Sequence, residues 1–178
     1  MNRLMLVDDE ENILKALQRA FRSQKDWEVE IYSDPNAALR RAQTANFDLF
    51  LSDYRMPEMN GVQFLTEVKS LQPEAMRLIL SGHTDLQALL GAINQAEIYR
   101  FVTKPWGDYE IIIVLQQALK YRDMLLENHY LANQVREQEQ ELKRQKSMLE
   151  RLKETNPELF NVNWASDGSI ILDDDDLT

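Results

Sequence analysis

Four of the short apolar runs along this chain end in side chains that can handle charge: Asp8 and Asp9 after the first, Asp53 after the third, Ser81 in the fourth and Lys104 in the fifth. Apolar runs alternating with amphipathic stretches mark a parallel α/β sheet, whose ligand sites form at the carboxyl ends of its strands. Three carboxylates meeting there would repel one another and resist ionising together. A hard divalent cation relieves that repulsion, and oxygen ligands with few protein contacts point to Mg²⁺, with Mn²⁺ as a substitute. Lys104 adds a mobile positive charge and Ser81 a neutral hydroxyl donor. The set suits phosphoryl transfer onto a carboxylate: cation and ammonium neutralise the equatorial oxygens, the hydroxyl adds a hydrogen bond, and Asp53 is the nucleophile. Each residue alone reads more simply as a helix cap or turn residue, so the inference rests on their joint placement at strand ends.

The elements that must position these residues are legible as β/α alternation. Strands are expected over residues 3–7, 27–32, 47–52, 77–81 and 100–104. Four of the runs are nearly all apolar, as for strands covered on both faces. In the second, Trp27, Val29 and Ile31 alternate with Glu28, Glu30 and Tyr32, the pattern of an edge strand with one wetter face. Asp34 before Pro35 marks a capped helix start, and Thr84 with Gln87 has the spacing of a capping box. Ile13, Leu14, Leu17 and Phe21 recur at helical spacing. A compact domain of about 120 residues accounts for this part, set at 1–122.

After Asp108 no proline occurs before Pro157 and no glycine before Gly168, so one helix is expected over 109–154. At 1.5 Å per residue it would be roughly 70 Å long, more than a small domain can cover. Taking Tyr121 as heptad position a gives a-residues Tyr121, Asn128, Val135, Leu142 and Leu149, with d-residues Met124, Leu131, Gln138, Gln145 and Leu152. That seam predicts a parallel dimeric coiled coil, with Asn128 fixing register and Glu141 facing Lys146 of the other chain. The plainer alternative is a solvated helix ordered by another domain. In the tail, 155–178, the segments 160–164 and 170–172 flank a Ser166-Asp167-Gly168 turn signal and suggest a β-hairpin. The final acidic run, 173–176, reads as a solvated tail.

The 178 residues carry a net charge of −10, which disfavours nucleic acid and anionic lipid as partners. Cysteine is absent, excluding disulfides, thiol nucleophiles and thiolate metal sites. The first apolar run is too short for a signal peptide and none is long enough to span a bilayer, so a soluble cytoplasmic protein is expected.

Val7-Asp8-Asp9-Glu10, the run from Ser52-Asp53 through Tyr54-Arg55-Met56-Pro57-Glu58-Met59 to Asn60-Gly61, Ser81-Gly82-His83 and Lys104-Pro105 together resemble the receiver domain of bacterial two-component response regulators, over about residues 2–122. The resemblance implies a flavodoxin-like five-stranded parallel sheet in the order 2-1-3-4-5. It also implies Mg²⁺ held by Asp8, Asp9, Asp53 and the backbone carbonyl of Arg55, and a phosphohistidine of a sensor histidine kinase as donor. It further implies a phospho-accepting signalling protein, not an enzyme, in which Ser81 and Phe101 couple the phosphate to the face made by the last helix, the fifth strand and the helix before it. Arg55 and His83, each two residues past a key position, should overhang the aspartyl phosphate and tune its lifetime.

Three outputs follow. The leading one is a phosphorylation-controlled interaction protein acting through a coiled-coil homodimer on a downstream protein. The second is the amino-terminal portion of a longer regulator whose effector, such as a cyclic-dinucleotide phosphodiesterase, lies outside this sequence. The third is a DNA-binding transcriptional regulator, disfavoured because Lys and Arg in the long helix are interspersed with Glu.

Overall fold

A computed structural model describes residues 1–82, 96–157, 163–164 and 170–171. Five strands, β1 (Asn2–Val7), β2 (Trp27–Tyr32), β3 (Leu49–Asp53), β4 (Met76–Gly82) and β5 (Arg100–Lys104), pair in parallel in the order β2-β1-β3-β4-β5. With α1 (Glu11–Phe21), α2 (Pro35–Ala42), α3 (Gly61–Leu71) and α4 (Asp108–Thr155), this is the flavodoxin-like architecture.

Period-two alternation along the strands sends side chains to two separate cores. Met5, Val7, Phe50 and Ile79 join Ala38 of α2 and Phe64, Leu65 and Val68 of α3. Leu4, Leu6, Leu49, Leu51, Leu78 and Leu80 point the other way, onto Leu14, Leu17 and Phe21 of α1 and Ile111, Leu115 and Leu119 of α4. Ile13, expected in the α1 stripe, is only half-buried.

The expected edge role of β2 holds, but β5 also lies at an edge and is only partly covered, because β4 is its single neighbour. The third strand begins at Leu49 and not at Phe47, and it runs through Asp53, whose backbone still pairs with Leu80. Asp34 caps α2 as expected, accepting the Asn36 amide at 2.8 Å. A capping box that the sequence reading passed over opens α3: Asn60 and Gln63 exchange side-chain to backbone hydrogen bonds, each 3.0 Å. Thr84 and Gln87 lie outside the described residues.

The chain divides into two compact units, Met1–Glu127 and Asn128–Thr178. In the first, Arg122 of α4 pairs with Asp48 at 3.0 Å and donates to the Glu74 carbonyl at 3.1 Å. In the second, the seam residues Leu131, Val135, Leu142, Leu149 and Leu152 are exposed. There β6 (Asn163–Trp164) pairs antiparallel with β7 (Ile170–Ile171). The turn signal at 166–168 and the acidic run at 173–176 lie outside the described residues. No described helix is long and apolar enough to cross a membrane.

Candidate functional site

β1 and β3 are central neighbours with Val7 opposite Ser52, so the residues following in sequence, Asp8 and Asp53, come side by side at the carboxyl end of the sheet. Both are buried, Asp8 fully and Asp53 to 5% exposure. Lys104, at the end of β5, reaches between them, its Nζ 2.8 Å from Asp8 Oδ2 and 2.5 Å from Asp53 Oδ1. The remaining oxygens accept backbone amides: Glu10 N donates to Asp8 Oδ1 at 2.9 Å and Arg55 N to Asp53 Oδ2 at 2.7 Å. Both carboxylates are thus held by an ammonium and an amide of their own loop.

Burial pushes the Asp53 and Asp8 carboxyls above their ordinary range, and hydrogen bonds from Lys104 only partly offset it. The Asp9 charge pushes Asp53 up further. Burial also works against the Lys104 ammonium, yet its hydrogen bonds to Asp53 and Asp8 outweigh it and hold its pKa above the usual value. Both partners of the pair are raised because one cation serves two anions: the lysine gains from both, while each carboxylate shares it.

The expected convergence of three carboxylates takes a narrower form. Asp8 and Asp53 meet across Lys104, whereas Asp9 is exposed, and no described group of three acidic or histidine side chains is assembled as a metal cage. Lys104 offsets part of the repulsion between the two carboxylates and leaves the pair with an excess of negative charge. The donor chemistry fits a divalent cation: only carboxylate and carbonyl oxygens, at a solvent-facing end of the sheet.

Ser81 lies one residue past Leu80, the register partner of Asp53. Its hydroxyl is buried and has no hydrogen-bond partner among the described residues. Such an orphan is costly unless something arrives to use it. Phe101 faces Ile79 across β4 and β5 and is half-buried against the core containing Ile79. Arg55 is exposed, and its backbone amide donates to Asp53 Oδ2. His83 lies outside the described residues. Of the seam, Tyr121 and Met124 fall in the first unit and the remainder in the second.

Sequence reasoning counted Gly61 in the motif but gave it no role of its own. A Cβ there would stand 2.1 Å from the Asp53 carbonyl oxygen and 3.1 Å from Ser52 Oγ, so only glycine lets α3 start this close to the end of β3. Ser52 Oγ also donates to that carbonyl at 3.0 Å. The Asn60-Gly61 dipeptide at a helix start was the available signal.

Residues 4–116 match the family described as the response regulator receiver domain. The hydrogenase transcriptional regulatory protein HoxA of Cupriavidus necator is 31% identical over 75% of this chain, a match covering 27% of that protein. The response regulator protein TodT of Pseudomonas putida is 27% identical, with 82% of this chain and 64% of that protein covered. Among solved structures, the signal receiver domain of an HD domain-containing protein from Pseudomonas fluorescens Pf-5 is 33% identical with a TM-score of 0.65, covering 69% of this chain and 98% of the other. This chain spans about a quarter of the length of HoxA and of the AtoC protein of Escherichia coli, at 27% and 28%.

Proposed function

The chain belongs to the response regulator receiver family, and from that premise we propose that Asp53 accepts a phosphoryl group from a phosphohistidine of a sensor histidine kinase. The observation that carries this reading is Lys104 lying between Asp53 and Asp8, a fixed cation where phosphoryl oxygens must arrive. An Asp53 carboxylate oxygen forms the new bond to phosphorus as the nitrogen–phosphorus bond breaks, the electron pair returning to the leaving imidazole. Asp8, Asp9, Asp53 and the Arg55 carbonyl would hold Mg²⁺, which supplies further neutralisation of the equatorial oxygens. Within the chain, Lys104 exchanges part of its contact with Asp8 for the transferred group, and the unpartnered Ser81 hydroxyl donates to it. Drawing Ser81 inward frees space beside Phe101, whose ring then repacks and reshapes the surface around β5.

The output we propose is a homodimer through the seam of α4, presented to a downstream protein in the cytoplasm. Parallel in-register pairing sets Asn128, Gln138 and Gln145 against their own copies. In an antiparallel pair, where a faces d, matching Asn128 with either glutamine leaves the other against Val135 or Tyr121. Self-matching of the polar positions therefore favours a second copy in register.

The test is phosphorylation by a small-molecule donor with Mg²⁺, followed by sedimentation of wild type and Asp53→Asn. Wild type is expected to acquire an acyl phosphate and change its dimer fraction, and Asp53→Asn to do neither. Equal labelling of the two would overturn the assignment. A second reading, control of transcription, is favoured by the name of HoxA, a hydrogenase transcriptional regulatory protein. A mobility-shift assay across salt concentrations tests it, since phosphate contacts weaken steeply with salt.

A further inference from the structure

We infer that Asn60 and Gln63, the capping box of α3, are positioning residues for the loop that follows the acceptor, and that through this loop they set how tightly the site holds a divalent cation. The inference rests on the reading of Asp53 and Mg²⁺ above and adds these two residues to it.

Residues 54–60 connect the end of β3 to the start of α3. Both ends of the loop are held through one residue: the Tyr54 amide donates to the Leu80 carbonyl and the Tyr54 carbonyl accepts from the Gly61 amide, each at 2.9 Å. The next residue, Arg55, sends its amide to Asp53 Oδ2 at 2.7 Å and carries the carbonyl proposed above as a cation ligand. Further along, Glu58 has a φ of 66°, a left-handed conformation that a long side chain seldom adopts and that persists only where neighbouring contacts fix the backbone. The outer flank of the loop borders a groove of about 360 Å³ lined in part by Glu58, Met59 and Gln63. Restraint on that side comes from hydrogen bonds, the Met59 amide to the Pro57 carbonyl at 2.7 Å and the capping box itself.

Gly61 creates the need for the box. Without a Cβ it lets the first turn of α3 close on the Asp53 carbonyl, yet glycine is also the residue whose backbone is least confined on its own. Asn60 Oδ1 accepting the Gln63 amide and Gln63 Oε1 accepting the Asn60 amide, both at 3.0 Å, confine it from either side. Loss of either side chain lets Gly61 shift, and with it the Tyr54 carbonyl it holds and the Arg55 peptide beyond. Ligands steered by such outer contacts lose affinity for their metal when the contacts go. Gln63 is exposed and Asn60 half-buried, so truncating either opens no cavity in the core and leaves the domain able to fold.

The probe is Mn²⁺ alone, whose free-ion electron paramagnetic resonance signal falls on binding, so affinity is read without phosphoryl transfer. In the full chain, Asn60→Ala and Gln63→Ala are each expected to raise the Mn²⁺ Kd roughly tenfold. Asn60→Ser, which keeps a capping oxygen and the same charge, is expected to bind like wild type. Labelling of Asp53 by a small donor should slow in both Ala variants at low Mg²⁺ and recover at saturating Mg²⁺, a split that a plain loss of stability does not produce. Ala variants with the wild-type Kd, an Asn60→Ser as weak as Asn60→Ala, or slowing that saturating Mg²⁺ fails to relieve would each overturn the inference and leave Asp53 standing as acceptor. A wild type that binds no Mn²⁺ would remove the inference together with the metal ligands proposed above, whereas failure of the acceptor assignment shows separately, as equal labelling of Asp53→Asn.

Discussion

Asp8, Asp53 and Lys104 form a buried group with two negative charges and one positive, and its imbalance has consequences for single substitutions. A carboxyl whose pKa is raised on folding holds its proton more tightly in the native state. Its contribution is therefore complete below the unfolded pKa and is lost as pH rises through the folded one. Asp53→Asn removes that loss, so thermal unfolding at pH 7 should show a gain of about 1 kcal/mol over wild type, shrinking to nothing near pH 3 where both side chains are neutral. Lys104→Met leaves two buried carboxylates without their cation and should cost about 3 kcal/mol in urea unfolding at pH 7. Gly61→Ala forces a Cβ onto the Asp53 carbonyl, displacing either the strand end or the start of α3. We expect a loss of about 2 to 4 kcal/mol together with slower phosphoryl acceptance, measurable by denaturant titration and donor labelling.

Among the elements, the edge strand β2 is tied down by charge as well as by its ladder. Glu30 accepts from Arg41 at 2.9 Å, from Tyr32 at 2.8 Å and from Arg3 at 2.7 Å, joining β2, α2 and β1. Hydrogen bonding from Arg41, partly opposed by burial, takes its pKa from 4.5 to about 2. A carboxylate depressed on folding stabilises above its unfolded pKa and loses that contribution as pH falls, here between 4.5 and about 2. After screening at this partly wet edge the effect is on the order of 2 kcal/mol. Glu30→Gln should therefore unfold with a flatter pH profile across that window. In α4, Asn128→Val should strengthen association and loosen register, seen as a higher dimer fraction with added larger species in sedimentation.

Across the whole molecule, the phosphoryl acceptance and the dimerisation proposed above would use different residues, so they should separate. Replacing Leu142 and Leu149 by Lys places charges in the seam and should leave a monomer, while labelling of Asp53 by a small donor proceeds at the wild-type rate. Phe101→Ala should do the reverse of uncoupling at the seam: labelling and dimerisation both persist, but the dimer fraction no longer responds to phosphate. A monomeric double variant that also fails to accept phosphate would show that the two activities are one.

The edge position of β2, the helix cap at Asp34 and the length of α4 were legible in the residues because period, capping chemistry and the absence of Gly and Pro are local properties, whereas the strand order 2-1-3-4-5 came only from the resemblance to the receiver family. The grouping of Asp8, Asp53, Ser81 and Lys104 was legible too, since the carboxyl ends of parallel strands must share one rim. Which of these groups touch was decided only by the tertiary structure. Lys104 reaching both carboxylates, Asp9 left exposed, the Ser81 hydroxyl without a partner and the Gly61 approach to Asp53 all depend on loop paths and side-chain reach between segments far apart in sequence. Periodicity records which face a residue turns to the core, but a contact between two loops is set by distances that no single segment encodes.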